Sequence, residues 1–229
     1  MLMHSDRITD EDLNFWLKYE EFDKIKTISL DKIQQTVDVI DKFVSENHCY
    51  CSISWGKDSV VLAHLCLQFQ IPYIWIKEKD SFNPECLTVR DYFIEQYCVD
   101  YHEIECNSQY DIFKRAPFFE MCDNVQLKYG KRVTGIRNDE SGRRLLRFKR
   151  WGFESLNTLC PLAKWKANEI FSYLYHNNLP VNSTYAMTMG GKLQRNFLRT
   201  DCIGGPEGDG IGRREWEKHY FPDILNRMN

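Results

Sequence analysis

Apolar residues recur along this chain with two different periods, and the change from one to the other marks out helices and strands. Leu30, Ile33, Val37, Ile40 and Val44 fall three and four residues apart and predict a helix ahead of residue 48. Tyr50 to Ile53 is a β-favouring run, predicting a strand over residues 48–53. Six polar or small-turn residues follow, Ser54-Trp55-Gly56-Lys57-Asp58-Ser59, and then a nearly all-apolar helical run over residues 57–69. Ile71-Pro-Tyr-Ile-Trp-Ile76 reads as the second strand, residues 85–97 as a helix, and Val99 to Ile104 as a third strand whose alternation suits a place near a sheet edge. Lys131 to Ile136 reads as the fourth strand and residues 163–178 as a helix presenting Trp165, Ile170, Phe171 and Leu174 inward. Strands alternating with helices predict an α/β fold with a mostly parallel sheet flanked by helices.

The flanks read differently. Residues 10–22 form an amphipathic pattern, with Leu13, Phe15, Trp16, Leu17 and Tyr19 set among acids, suited to core packing or to a partner surface. Tyr110 to Leu127 is aromatic and irregular, a helical excursion. From Met187 glycine becomes frequent, above all in Arg199-Thr-Asp-Cys-Ile-Gly-Gly-Pro-Glu-Gly-Asp-Gly-Ile-Gly-Arg-Arg214, which reads as a mobile loop near the site. Trp216 to Pro222 reads as a short closing helix. These readings divide the chain into an N-terminal helical segment, 1–47, an α/β domain, 48–190, and a glycine-rich loop with a C-terminal helix, 191–229.

The strand–loop–helix at 48–69 carries the candidate chemistry. Such a loop offers backbone N–H groups and a helix N-terminus to an anion, with Lys57 as a point charge and Ser54 and Ser59 as hydroxyl donors. An ordinary strand-to-helix turn with a capping serine uses the same residues. A Walker loop is excluded, because one glycine is present and Asp-Ser follows the lysine.

The hexapeptide resembles Ser-Gly-Gly-x-Asp-Ser, the signature of the PP-loop ATP pyrophosphatases and the phosphoadenosine phosphosulfate (PAPS) reductases, with Trp55 in place of the first glycine. A tryptophan at φ > 0 would be strained there. Two further blocks resemble the same family. Gly135, Arg137, Ser141 and Arg144 match its Gly-x-Arg-x-x-x-Ser-x-x-Arg segment, and Pro161-Leu-Ala-Lys-Trp165 with Asn178-Leu-Pro180 and Tyr185 matches its later helix. The resemblance implies a Rossmann-like fold of the adenine nucleotide alpha hydrolase type. It also implies ATP and Mg²⁺ as ligands, with Ser54, Trp55, Gly56, Lys57, Asp58, Ser59, Gly135, Arg137 and Ser141 about the nucleotide and Asp58 on the metal. Lys57, Asp58, Arg137 and Arg144 then fall in catalytic roles. Beyond the second strand, where the family shows Asp-Thr-Gly, the chain has Lys77-Glu-Lys-Asp-Ser81, leaving Glu78 or Asp80 to meet a ribose or metal.

Composition narrows the function. The 30 lysines and arginines against 33 acids give a formal net charge of −3, with no overall pull toward nucleic acid. Between Lys128 and Glu154, however, nine basic residues face three acidic ones. That excess suits an anion such as DNA, and equally a solvated basic face. Nine cysteines without a Cys-x-x-Cys pair argue against a disulfide framework or a common metal site. No run approaches the roughly 20 apolar residues of a membrane helix, and the first residues lack a signal-peptide pattern, so a soluble cytoplasmic protein is expected.

The reductases of the family carry their nucleophile in a Glu-Cys-Gly-x-His tail that this sequence does not contain, so Cys202, in Thr-Asp-Cys-Ile-Gly, is the remaining candidate for that role, and Cys202 or Cys160 is the candidate for relaying sulfur as a persulfide. The sequence better suits the pyrophosphatase use of the scaffold, in which an acceptor oxygen attacks the α-phosphate of ATP. It resembles the ATP-pyrophosphatase component of DNA phosphorothioation systems, which implies a cysteine desulfurase or another sulfur donor as partner. Sulfonucleotide reduction, thiolation of tRNA or a nucleotide, and non-catalytic nucleotide sensing are the other classes.

Overall fold

The computed structural model describes residues 1–79, 81–106, 116–200, 202–204 and 212–228. Asp80, residues 110–115 of the aromatic stretch, Asp201 and most of the glycine run, 205–211, lie outside the described residues.

The predicted alternation builds a six-stranded sheet in the order β3-β2-β1-β4-β6-β5. Its strands are β1 (Cys49–Ser52), β2 (Tyr73–Glu78), β3 (Tyr101–Cys106), β4 (Lys131–Thr134), β5 (Glu154–Ser155) and β6 (Thr158–Leu159). Every pairing is parallel except β5 with β6. β3 lies at one edge, as its alternation indicated. The two-residue strands β5 and β6 are too short for a periodicity argument and were not predicted. The helix α3 (Lys57–Leu65) is apolar on all sides because it is buried on all sides, from Val60 to Leu65 except for half-buried His64. β1 neighbours β2 on one side and β4 on the other, so the chain's crossovers diverge between β1 and β4. In an open parallel sheet the crevice at the strands' carboxyl ends at such a point is where ligands bind.

The first two helices clasp this body. In α2 (Leu30–Glu46) the predicted stripe buries Ile40, with Thr36 and Phe43 from outside the stripe buried as well, whereas Leu30 is exposed. In α1 (Asp10–Ile25) the outcome differs from the expectation. Trp16 is buried edge-on against Phe171, but Leu13 and Leu17 face solvent and two acids, Asp12 and Asp23, are buried instead. Positions 12, 16 and 23 share the face turned toward α7 (Ala167–His176), and the acids on it are neutralised by specific partners. Asp12 Oδ1 accepts from the N–H groups of Thr188 and Gly190, each at 3.0 Å, and Oδ2 from the Tyr220 hydroxyl at 2.7 Å. Asp23 receives both guanidinium arms of Arg195, at 2.6 and 2.5 Å.

Those partners show what becomes of the segment after Met187. Its described part is packed rather than loose: Met187, Thr188, Arg195, Leu198 and Ile203 are buried, and the Met187 carbonyl accepts from the Trp216 indole at 2.7 Å. Gly190 and Gly191, at φ 66 and 85, make the turns this path needs. The helix expected over 163–178 is regular only in α7, and Trp165 sits in the turn before it with its indole donating to Thr36 at 3.0 Å. Part of the basic stretch after β4 forms a helix, α6 (Gly142–Trp151), capped by the Ser141 hydroxyl. Among the described residues no helix is long and apolar enough to cross a membrane.

Candidate active site

At the carboxyl ends of β1 and β4 the chain leaves an open pocket. The loop and first turn after β1, Ser54 with Gly56 to Ser59, form one wall. Thr134 to Ile136, Glu140 and Arg144 form the wall after β4, and Tyr185, Arg199 and Thr200 close the third side. The loop is shaped by its own hydroxyl: Ser59 donates to the Gly56 carbonyl at 3.0 Å and accepts from the Ser54 N–H at 3.2 Å. The Lys57 N–H donates to the Tyr185 hydroxyl at 3.0 Å. Two glycines are required by close approach. A Cβ on Gly56 would lie 2.6 Å from the Thr200 hydroxyl oxygen, and one on Gly135 would lie 2.9 Å from the Asp58 carbonyl oxygen. Gly135 thus lets the end of β4 come against the first turn of α3, whose N–H groups point along the helix axis toward the pocket.

Lys57 is almost wholly buried, its ammonium 3.1 Å from Asp58 and 4.8 Å from the Tyr185 ring centroid. Burial opposes its charge, but Asp58 and Tyr185 outweigh that and hold its pKa above the ordinary lysine value. Arg144 reaches the pocket from α6, in an ion pair with Glu140, and Arg199 reaches it from the other side. Three cations against the carboxylates of Asp58 and Glu140 leave the lining net positive. The pocket is built for an anion.

Arg137 differs from the sequence expectation. It was assigned to nucleotide or oxyanion contact, yet it is only 2 % exposed and does not line the pocket. Its Nε donates to Asp58 Oδ1 at 2.5 Å and Nη1 to Asp139, and its backbone N–H donates to Glu140 at 2.8 Å. Burial again opposes the charge, and Asp58 with Asp139 raises the pKa regardless. The arginine is a positioning residue that fixes Asp58 from behind. Asp58 is correspondingly spoken for: Oδ1 faces Arg137 and Oδ2 faces Lys57. That donor set does not suit a protein-held Mg²⁺, contrary to the sequence reading of Asp58 as a metal ligand, since two cations already occupy its oxygens. Among the described residues no group of three His, Cys, Asp or Glu side chains could hold a metal ion.

Trp55, expected among the nucleotide contacts, also departs. Its backbone has φ 59, the left-handed conformation in which the family's glycine is free of strain. Its side chain turns away from the pocket into the core, with ring centroids 5.7 Å from Phe93 and 5.6 Å from Tyr101. The strain costs about 1–2 kcal/mol, whereas an indole buries roughly 150–250 Å², worth about 4–6 kcal/mol at about 25 cal/mol per Å². Burial wins. Trp55→Gly, although it restores the family residue, is therefore expected to lower the unfolding free energy by about 2–4 kcal/mol in urea titration. A more stable variant would show that loop strain dominates.

Ser141 is not in the pocket lining and serves as the α6 cap. Glu78 accepts from Ser81 at 3.1 Å. Cys202 lies two residues beyond Thr200, half-buried and outside the pocket lining. Cys160 is buried, which pushes its thiol pKa up despite the pull of Arg147, Arg132 and Arg144, so it is no ready thiolate. Arg199 and Thr200 were missed because they sit in a glycine-rich stretch. Tyr185 was noticed only through the family's pattern.

Residues 48–191 match the family model for the phosphoadenosine phosphosulfate reductase domain. Among solved structures, the chain is similar to the PAPS reductase of Candida auris in its phosphate complex, at 14% identity and TM-score 0.51 over 69% of this chain and 91% of that one. It is also similar to the FMN adenylyltransferase of Candida glabrata bound to FMN and the ATP analogue AMPCPP, at 18% identity and TM-score 0.52 over 77% of this chain and 69% of that one. Identities this low show a shared fold. No curated protein sequence matches the chain.

Proposed function

The chain belongs to the phosphoadenosine phosphosulfate reductase domain family, and from that premise we propose that it is an ATP pyrophosphatase that adenylates an acceptor for sulfur insertion. The observation that carries this reading is the convergence of the α3 N-terminus, Lys57, Arg144 and Arg199 on one pocket at the β1/β4 crevice. A triphosphate answers that arrangement better than a single small anion, because cations stand on opposite walls. The fold shared with an enzyme bound to an ATP analogue supports it.

In this reading an acceptor oxygen attacks the α-phosphorus of ATP. The bond from that phosphorus to the bridging oxygen breaks, and pyrophosphate leaves with the electron pair. An ionised phosphate oxygen as acceptor attacks with no proton to lose. A sulfur nucleophile then displaces AMP. The chain's own part is electrostatic: α3 N–H groups and Lys57 meet the charge that develops on the leaving group, Arg199 meets it from the far wall, and Arg137 keeps Asp58 from competing for it. Mg²⁺ would arrive with the nucleotide and neutralise phosphate charge there.

The acceptor proposed is DNA, giving phosphorothioate modification with sulfur from a cysteine desulfurase or another donor protein, and the basic stretch from Lys128 to Glu154 beside the pocket supports it. Incubation with ATP should release pyrophosphate when oligonucleotide is present, and AMP once a sulfur donor is added. Arg199→Ala should slow that release about 10²- to 10³-fold, as loss of one donor to developing charge does. Orthophosphate as the only product would refute the reading. Bound ATP that never turns over would mark a sensing module, and sulfite from PAPS with thioredoxin would mark a reductase.

A further inference from the structure

α6 has no buried residue, although it is attached to the wall of the pocket. Five of its ten residues are cations, Arg143, Arg144, Arg147, Lys149 and Arg150, and none is acidic. Arg144 is paired with Glu140, but among the described residues no carboxylate forms an ion pair with the other four. Arg143, Arg147 and Arg150 are spaced by four and three residues and therefore share the outward face, while Arg144 and Phe148 lie on the half-buried inner side. At the far end Trp151 is 65% exposed, with the Arg150 guanidinium 4.8 Å from its ring centroid. Leu156, on the β5–β6 turn that follows α6 in the chain, is 82% exposed.

We propose that α6 and the β5–β6 turn form a docking ledge for single-stranded nucleic acid, whose backbone follows the arginine row while an unpaired base stacks on Trp151. This rests on the reading of the pocket as an adenylating site, and it names the form of the acceptor. Charge and length both fit. Seven residues of helix rise about 10 Å, long enough for the arginine row to meet more than one phosphate of a strand. Stacking on an exposed indole requires a base face that a duplex hides. Arg144 belongs both to this helix and to the pocket, so a strand on the ledge reaches the pocket mouth at the N-terminal turn of α6.

Other occupants fit less well. A membrane-surface helix needs a continuous outward apolar face, whereas here exposed Leu146, at 66%, stands among Arg143, Arg147, Lys149 and Arg150. A second copy on the same face would set one arginine row against another.

The test is binding of labelled 15-nucleotide DNA and RNA single strands and a DNA duplex, without ATP, read by anisotropy and by tryptophan fluorescence. The other five tryptophans are at most 5% exposed, so quenching by a bound strand reports Trp151. Single strands should bind more tightly than duplex, and such binding by the DNA or the RNA strand supports the ledge, the tighter of these two strands naming the acceptor. The triple variant R143A/R147A/R150A should lose about 2 from the salt slope, equivalent to removing a roughly 20-fold change between about 50 and about 200 mM salt. Trp151→Ala should abolish the quenching and weaken binding about tenfold. The proposal is overturned by equal affinity for duplex, by an unchanged slope in the triple variant, by tighter binding to anionic vesicles than to strands, or by a dimer in which Trp151 is shielded from iodide. Strand binding without pyrophosphate release would instead sink the reading of the pocket and leave the ledge standing.

Discussion

Arg195→Leu is expected to lower the unfolding free energy by about 3–5 kcal/mol, because it leaves the Asp23 carboxylate buried without its cation. Both side chains are 3% exposed, and the two bonds between them, 2.6 and 2.5 Å, are bidentate. The guanidinium also lies 3.9 Å from the Phe171 ring centroid and 4.4 Å from that of Tyr19, so leucine keeps most of the packing and removes the charge. Changing both residues, D23L with R195L, should recover much of the loss, since a buried pair contributes little beyond satisfying itself. A double-mutant cycle in urea measures the difference. Losses that simply add would show the two side chains to be uncoupled. The single variant should also weaken ATP binding well below its melting temperature. Arg195 ties to α1 the segment that, four residues later, delivers Arg199 and Thr200 to the pocket.

What was legible in the sequence depended on how local its cause was. The β1–loop–α3 unit could be read because its strand, its polar turn and its apolar helix are contiguous, and the pocket forms at that loop. The sheet's parallel character followed from the alternation of elements. Arg137 is expected from sequence to contact the nucleotide, whereas the structure pairs it with Asp58, 79 residues away, a contact that only the fold brings about. Trp55 was expected to be strained, and it is left-handed. What its neighbours in sequence could not reveal was the Phe93 and Tyr101 pocket that holds the indole. The segment after Met187 misled most: glycines suggested looseness, yet their left-handed turns let Asp12 and Asp23 hold it. α6 could have been found, because Leu145, Phe148 and Trp151 recur at three-residue intervals, but the density of charge resembled a loop.

Lys57→Met is expected to reduce kcat/KM for pyrophosphate release by about 10²–10³-fold with the fold intact. Methionine keeps the stem beside Tyr185 and Phe171 and removes only the ammonium, which lies 4.8 and 6.0 Å from their ring centroids. Stability should change modestly, because Asp58 keeps Arg137 at 2.5 Å and is not left unpaired. The lysine's raised pKa, set by Asp58 and Tyr185 against the cost of burial, keeps it charged throughout the neutral range. Loss of activity in the variant therefore reports a missing charge rather than a missing proton donor. If Lys57 meets charge only as pyrophosphate departs, kcat and kcat/KM fall together. If it holds the ground-state triphosphate equally well, KM rises and kcat stays. Either pattern keeps the lysine in the pocket chemistry. Unchanged kinetics in a folded variant would leave Arg144 and Arg199 as the anion site and reduce Lys57 to a counter-charge for Asp58.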